Sequence, residues 1–276
     1  MSRIAVLQAQ TGIDPSRNAA GIAEAVAAAA SGGAVMLFTP EMSGLLDRDR
    51  SRAAGNYRDQ EHEPTLAAAR EAAAEAGMWV HLGSLAVMRE DGRLANRAFV
   101  IDPAGEVRAT YDKLHLFDVD LPTGESWRES ASYAPGETTV VVEGTPVGRL
   151  GLAICYDIRF PALFAALAEA GAETIAVPAA FTVPTGQAHW QVLLRARAIE
   201  AGLFVVAAAQ AGRHEDGRET YGHSLVADPW GELLLEMDDA PGLAFAEVDL
   251  ARISEVRGRV PALRHRRSIP PVTLLD

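Results

Sequence analysis

The sequence predicts an α/β fold in which helices cover the faces of strand-rich sheets. Alanine-rich helical segments alternate with short apolar segments along most of the chain, and this order is typical of α/β proteins. Residues 34–38 are apolar throughout and residues 203–210 are apolar up to the final Gln210, as expected for strands that are covered on both faces. Residues 3–40 and 149–178 repeat one order of strand, helix, strand and proline. We therefore expect a single domain over residues 1–276, with two sheets related by a pseudo-two-fold axis.

In the first half of the chain, local start and stop signals bound the predicted elements. Asp-Pro-Ser at residues 14–16 supplies an N-cap and a first-turn proline for a helix that ends at the glycines 32–33. A second helix is predicted from about residue 64 to residue 77. Asp-Gly at residues 91–92 predicts a hairpin turn. The strands of this half are predicted at residues 3–10, 34–38, 79–87 and 93–102.

Residues 112–137 lack clear periodicity, yet they contain the large aromatic side chains Phe117, Trp127 and Tyr133. Because long loops in globular domains are often functional, we expect an ordered site loop here. The second half then resumes the alternation, with helices at about residues 161–171 and 185–202. Its strands are predicted at residues 138–143, 149–155, 174–180 and 203–210, as a pair within 223–237, and at 242–249 before a short helix.

Composition and charge restrict the class of partner. The 276 residues are 49% hydrophobic and 22% charged, with a formal net charge of −12. This charge argues against nucleic acid or an anionic membrane as the main partner. No apolar run approaches the roughly 18 residues that a membrane span needs. One cysteine cannot form an internal disulfide, so we expect a reducing, cytoplasmic location.

Standard nucleotide, cofactor and metal motifs are absent from the sequence. It has no G-x-x-x-x-G-K-[ST], and no G-x-G-x-x-G follows the first strand. It also lacks the G-x-S-x-G motif of serine hydrolases. Its seven histidines are isolated and do not have metal-ligand spacing. We therefore expect neither a cofactor nor a metal, and a small molecule as the substrate.

Cys155 is the only cysteine, and it ends an apolar strand just before the polar run Tyr-Asp-Ile-Arg. A lone cysteine in that position is more often a small buried hydrophobe than a nucleophile. Its strand leads into a helix, however, and α/β folds present reactive groups at such points. Taken alone, Cys155 fits either interpretation.

Two further polar residues favour the nucleophile. Lys113 is the only lysine among 25 Lys and Arg residues, which suggests a position where guanidinium cannot replace ammonium. Glu41 follows an apolar strand and lacks an evident structural duty beyond a helix N-terminus. A thiol needs a base, which could be a histidine or a carboxylate whose pKa burial raises. Lys113 would favour the thiolate and stabilise an oxyanion.

Four motifs in order carry a resemblance to a known family. They are LFTPEMSG around Glu41, YDKLHLFDVDLP around Lys113, RESASYAPG around Glu129 and GLAICYDIRFP around Cys155. With these motifs the chain resembles the nitrilase superfamily of carbon–nitrogen hydrolases over nearly its full length. The family commonly has Glu after Arg-Phe-Pro, where this chain has Ala162.

Three further segments narrow the resemblance to one branch. Residues 185–212, 221–232 and 259–267 look like the Nit1-type branch, the deaminated glutathione amidases. The branch implies hydrolysis of a small carboxylate-bearing amide, similar to deaminated glutathione, to an acid and ammonia through a cysteine thioester. The alternatives are an ω-amidase that acts on 2-oxoglutaramate or 2-oxosuccinamate, and a nitrilase.

The family resemblance also implies a fold, an assembly and a set of catalytic residues. The fold would be a four-layer αββα sandwich with two mixed sheets. The assembly would be a homodimer or higher homo-oligomer, with the tail from about residue 258 at the subunit interface. Glu41, Lys113 and Cys155 would form the catalytic triad, with Glu129 in support. The backbone N–H of Tyr156 would join Lys113 in holding the oxyanion.

Phe181 and Thr182 follow the end of a predicted strand, so they are candidates for lining the substrate pocket.

Two other classes of function remain as alternatives. A Cys–His hydrolase would favour glycines around its nucleophile, whereas Ala153 and Asp157 flank Cys155. A catalytically silent binding protein would tolerate loss of Cys155, Lys113 or Glu41, and all three are present.

Overall fold

The computed structural model describes residues 1–120, 124 and 126–275. In chain order, the strands of this part are β1 (Ser2–Gln8), β2 (Met36–Phe38), β3 (Trp79–Met88), β4 (Leu94–Ile101), β5 (Val107–Asp112), β6 (Asp118–Asp120), β7 (Ser126–Arg128), β8 (Val141–Thr145), β9 (Gly148–Leu152), β10 (Thr174–Ala176), β11 (Phe204–Ala207), β12 (Ala211–Arg213), β13 (Glu219–Tyr221), β14 (Leu225–Ala227), β15 (Leu233–Glu236) and β16 (Gly242–Val248). The α-helices are α1 (Pro15–Ser31), α2 (Arg50–Ala54), α3 (Pro64–Ala76), α4 (Pro161–Glu169), α5 (Val183–Ala201) and α6 (Ala251–Arg259).

Two six-stranded mixed sheets form the centre of the fold. The first has the strand order β16-β1-β2-β3-β4-β5, and the second has the order β8-β9-β10-β11-β14-β15. In each sheet three consecutive strands are parallel. One further strand pairs on one side and two on the other, each antiparallel to its neighbour. The two sheets therefore share one topology, which confirms the predicted pseudo-two-fold relation.

The sheets pack face to face between two layers of helices. In β1 and β2, Ala5 and Leu37 belong to the apolar cluster that α1 and α3 form on the outer face of the first sheet. Their neighbours Ile4 and Phe38 belong instead to the cluster that contains the second sheet and the buried side chains of α4 and α5. This alternation follows from the two-residue period of a strand. The four-layer αββα order predicted from the resemblance is confirmed.

Most predicted elements are present with small shifts in their bounds. Asp14 caps α1, because its side chain accepts hydrogen bonds from the backbone N–H groups of Ser16 and Arg17. α3 ends at Gly77, whose φ of 61° lies in the left-handed region that glycine favours. None of the helices described here is long and apolar enough to cross a membrane.

The unperiodic region 112–137 contains elements that the sequence did not predict. β6 and β7 pair as a short antiparallel ladder, and a 3-10 helix follows at residues 129–131. α2 and the β12–β13 pair were also missed. These strands have three residues each, too few to display a two-residue alternation. Residues 121 and 122 of the motif around Lys113 lie outside the described residues.

Candidate active site

The ends of several strands place polar side chains in one cavity of about 650 Å³. Glu41 follows β2, Lys113 directly follows β5, and Cys155 follows β9. Their exposed fractions are only 4%, 2% and 7%. The first and third lie at the carboxyl ends of parallel strands in the two sheets, where α/β folds commonly form sites. Glu129, from the 3-10 helix at residues 129–131, completes the set of residues predicted to be catalytic.

Lys113 links the two carboxylates. Its Nζ donates to Glu41 Oε1 at 2.9 Å and to Glu129 Oε2 at 2.9 Å. Asn96 makes the same connection, because its Nδ2 donates to Glu41 Oε1 at 2.9 Å and to Glu129 Oε1 at 3.0 Å. Asn96 is not among the residues predicted from the sequence. In the sequence, Asn96 could have been noticed as an uncharged polar residue within the largely apolar segment Leu94–Ile101.

Further hydrogen bonds hold Glu41 and Glu129 in place. Glu41 Oε2 accepts the N–H of Ala180 at 2.9 Å, and Gln210 Nε2 donates to the backbone carbonyl of Glu41 at 2.9 Å. Glu129 Oε2 also accepts the N–H of Phe117 at 2.7 Å. Both carboxylates are therefore held in single orientations by contacts from both sheets and from the site loop.

Cys155 has an unusual backbone conformation. Its φ is 49°, in the left-handed region that non-glycine residues rarely occupy. Its N–H donates to the carbonyl of Pro178 at 2.9 Å, and the residue opens a 3-10 helix that runs to Arg159. Such strained residues often occur at functional sites, where surrounding contacts hold them in place.

Asp157 ties the Cys155 turn to the strand that carries Lys113. It is fully buried, and its Oδ2 accepts the N–H of Ile154 at 2.9 Å and the hydroxyl of Tyr111 at 2.7 Å. Its Oδ1 accepts the N–H of His115 at 3.0 Å and lies 2.7 Å from the ring Nδ1. His115 thus braces the site loop and does not occupy the position of a base beside the thiol.

Charge and burial set the resting protonation states. Burial acts to raise the pKa of Glu41, but the charge and hydrogen bond of Lys113 outweigh it and hold this pKa below its usual value. Burial acts to lower the pKa of Lys113, but Glu129 and Glu41 outweigh it and raise this pKa well above its usual value. For Cys155, burial and the negative charge of Glu41 raise the thiol pKa, against the opposing charge of Lys113. These shifts favour an ionised Glu41, a protonated Lys113 and a neutral thiol on Cys155 in the resting site. For Glu41, the carboxylate nearest to this role, Lys113 thus outweighs the effect of burial.

The cavity wall also includes Tyr156, Phe181 and Thr182. Arg159 lies between two aromatic rings, with its guanidinium carbon 5.9 Å from the ring centroid of Tyr156 and 5.7 Å from that of Phe181. In the described ranges, no group of three or more His, Cys, Asp or Glu side chains converges as a metal site.

Solved structures share this architecture. The Nit3 protein of Saccharomyces cerevisiae, a member of the nitrilase superfamily, aligns with a TM-score of 0.86 at 24% identity, over 97% of each chain. The NitFhit protein of C. elegans aligns with a TM-score of 0.88 at 37% identity over 96% of this chain, which spans 65% of that longer one. An amidase from Nesterenkonia sp. AN1 aligns with a TM-score of 0.81 at 28% identity, covering 96% of this chain and 94% of the other. The aligned structure is that of a mutant of this amidase, and it shows the acetamide moiety of fluoroacetamide covalently added at the active site cysteine. The fold is therefore that of the nitrilase superfamily.

Sequence relatives identify the family. The carbon–nitrogen hydrolase model matches residues 3–258. The deaminated glutathione amidase of Bos taurus is 40% identical, covering 96% of this chain and 81% of the bovine protein. That of Yersinia enterocolitica is 38% identical, covering 97% of this chain and 94% of the bacterial protein. The chain belongs to the carbon–nitrogen hydrolase family.

Proposed function

We propose that this protein is a thiol amidase that hydrolyses a small, carboxylate-bearing amide through a thioester on Cys155. One observation supports the proposal above all others. Lys113 Nζ lies 2.9 Å from both Glu41 and Glu129, and all three line the cavity that contains the only thiol of the chain. These groups supply a base, an oxyanion donor, a support and a nucleophile.

The first step is attack of the Cys155 sulfur on the amide carbonyl carbon. Because the resting thiol is neutral, it loses its proton to Glu41 as the C–S bond forms. The carbonyl π electrons move to oxygen, so the negative charge passes from Glu41 to the oxyanion. The total charge in the site is unchanged by this step. Lys113 remains beside the negative charge both before the step, on Glu41, and after it, on the oxyanion.

The oxyanion is held by Lys113 and by the backbone N–H of Tyr156. The neighbouring N–H groups of Cys155 and Asp157 donate to the carbonyls of Pro178 and Ile154, respectively. The Tyr156 N–H lies between these two donors at the start of the 3-10 helix, and we propose that the substrate accepts its hydrogen bond. Glu129 positions Lys113 through the second 2.9 Å contact.

Collapse of the tetrahedral intermediate completes acyl transfer. The C–N bond breaks, and Glu41 returns its proton to the leaving nitrogen. A water then gives a proton to Glu41 and attacks the thioester carbonyl. Breakage of the C–S bond releases the carboxylic acid, and the proton returns from Glu41 to the Cys155 sulfur, so the enzyme is regenerated without any cofactor.

Deaminated glutathione is the substrate that we favour, because the relatives at 38–40% identity over nearly the whole chain bear that name. Its acyl part carries a carboxylate, and we propose that Arg159, four residues after Cys155, binds this group. The amide nitrogen of deaminated glutathione carries a cysteinylglycine chain. Its hydrolysis therefore releases this amine, whereas a primary ω-amide would release ammonia as the sequence analysis expected.

A panel of amides tests this function. Purified protein is assayed with deaminated glutathione, 2-oxoglutaramate, simple primary amides and a nitrile, and acid formation is measured for each. We expect the highest kcat/KM for deaminated glutathione and no turnover by Cys155→Ala. Faster hydrolysis of 2-oxoglutaramate would assign the ω-amidase alternative, and Cys155-independent turnover would reject the mechanism.

We also propose that the single domain forms a homodimer through α5 and the tail from about residue 258. Large apolar side chains are exposed there: Val192, Ile199 and Val260 are 67%, 52% and 53% exposed, and residues 269, 272, 274 and 275 are more so. Sedimentation velocity tests this assembly. Ile199→Glu should shift the protein toward monomer, whereas Val35→Glu, on an exposed apolar residue elsewhere, should not.

We also propose that the protein is located in the cytoplasm. Its single free thiol fits this reducing compartment.

A further inference from the structure

The cavity wall carries an excess of positive charge beyond the catalytic lysine. It includes five arginines, namely Arg48, Arg50, Arg128, Arg159 and Arg218. The first three are exposed, so water solvates their charges, whereas Arg159 and Arg218 are partly buried. A partly buried cation loses hydration that an anionic ligand can replace. Arg159 has a place in the acyl-side site proposed above, and Arg218 has none.

Arg218 lies in the connection between β12 and β13, stacked on an aromatic ring of the site loop. Its guanidinium carbon is 4.7 Å from the ring centroid of Trp127. Only 18% of its side chain is exposed, and Nη2 is 3.5 Å from Asp216 Oδ2, a long contact for an ion pair. Arg218 Nε and Trp127 Nε1 are both buried without a hydrogen-bond partner among the described residues. Unpartnered buried donors are uncommon, and they suggest that a ligand supplies the acceptor.

The electrostatic surroundings of Arg218 point toward the same cavity. Burial lowers the pKa of Arg218, while the charges of Asp216 and Glu41 oppose this effect. The positive charge of Arg48 lowers it further. Glu41 and Arg218 both line this cavity, although they come from opposite halves of the chain.

We propose that Arg218, stacked on Trp127, forms a subsite for a carboxylate on the amine side of the scissile amide. This inference rests on the proposed amidase function. Glu41 has to reach the leaving nitrogen to protonate it, so the amine side of the substrate extends past Glu41 toward Arg218. Arg159, which lines the same cavity as Cys155, is left for the acyl side. The substrate class is an amide whose nitrogen bears a short chain that ends in a carboxylate.

The chemistry of the two side chains suits a carboxylate. A guanidinium offers parallel N–H donors that match the two carboxylate oxygens, and stacking on an indole fixes its plane. The indole N–H of Trp127 adds a further donor at the edge of the same stack. Arg218 acts as a specificity-determining residue in this arrangement, because it contacts a part of the substrate remote from the reacting carbon.

Two matched amides test the subsite. Both carry the same 2-oxo acyl group, and the nitrogen bears cysteinylglycine in one and cysteinylglycinamide in the other, so they differ only in the terminal carboxylate. We expect the wild-type enzyme to prefer the carboxylate by about 10- to 100-fold in kcat/KM, the range for a charge-assisted hydrogen bond. Arg218→Gln should remove this preference by slowing the carboxylate substrate alone. Arg50→Gln, on an exposed arginine of the same cavity, should keep the preference for the carboxylate substrate. Trp127→Phe should retain the stacking on Arg218 but lose part of this preference.

Three outcomes would overturn the inference. They are a wild-type enzyme that hydrolyses both amides equally, an Arg218→Gln variant that keeps the preference, and an Arg218→Gln variant that slows both amides alike. Should that variant not fold, inhibition of the wild-type enzyme by free cysteinylglycine and by its amide reports the same preference, and equal inhibition refutes the subsite. Failure to hydrolyse either amide, together with inactivity on the whole amide panel, would instead reject the proposed function itself.

Discussion

Replacement of Lys113 by arginine tests whether the position of the positive charge matters for catalysis, because the charge itself is kept. Lys113 is 98% buried between Glu41 and Glu129, where a compact ammonium reaches both carboxylates at 2.9 Å. An arginine keeps the charge, but its planar fork cannot place one nitrogen at the same point. Loss of one oxyanion donor typically costs about 10²–10³ in kcat, or about 2.7–4 kcal/mol. We expect Lys113→Arg to fall in that range.

The assay is steady-state hydrolysis of the best amide from the panel, with kcat and KM determined separately. Arg108→Lys, the reverse exchange at an exposed position of β5, the strand that precedes Lys113, is the matched control and should stay within about twofold of wild type. Thermal unfolding checks that the variant folds, since overpacking costs about 1–3 kcal/mol. A folded Lys113→Arg enzyme with nearly wild-type kcat would refute the role of Lys113 as oxyanion donor.

Three further predictions concern the frame around the site. Tyr111→Phe removes the hydroxyl bonded to buried Asp157, so urea unfolding should show a loss of about 1–3 kcal/mol; an unchanged midpoint would contradict this. Burial lowers the pKa of His81 to about 3, so the native state excludes its charged form. Stability should therefore be full above pH 6.5 and fall by about 1.4 kcal/mol per pH unit below it. Between pH 6.5 and 5, His81→Leu should show a shallower decline than wild type, and equal slopes would contradict the assignment. A Cβ at Gly83 would collide with the carbonyl oxygens of Thr39 and Pro40, so Gly83→Ala should cost at least about 1–3 kcal/mol in the same unfolding assay; wild-type stability would show that the backbone relaxes freely.

The fold was predictable because its elements are patterned locally. The run AVMLF at residues 34–38 and the Asp-Pro-Ser signal at 14–16 each depend on a few neighbouring residues, and strand and helix appear there as predicted. The order of these elements then indicates two related sheets. Strands β6 and β7 were missed because three residues are too few for a pattern, and their pairing joins residues that are six to ten positions apart.

The site was predictable in its residue types but not in its electrostatics. Glu41, Lys113 and Cys155 stand out in sequence as polar groups at strand ends, whereas Asn96 and Arg218 do not. Their contacts join residues far apart in the chain, as with Asn96 and Glu41, which only the packing of strands brings together. The pKa of Glu41 illustrates the same limit, because the balance between burial and the charge of Lys113 depends on the 2.9 Å distance.

The most direct test of the central claim is partitioning by hydroxylamine. Two amides with one acyl group and different amines are hydrolysed in the presence of hydroxylamine, and the ratio of acid to hydroxamate is measured. A thioester on Cys155 is common to both substrates once the amine has left, so we predict the same ratio for both and no product with Cys155→Ala. A ratio that changes with the leaving amine would contradict a common acyl-enzyme on Cys155.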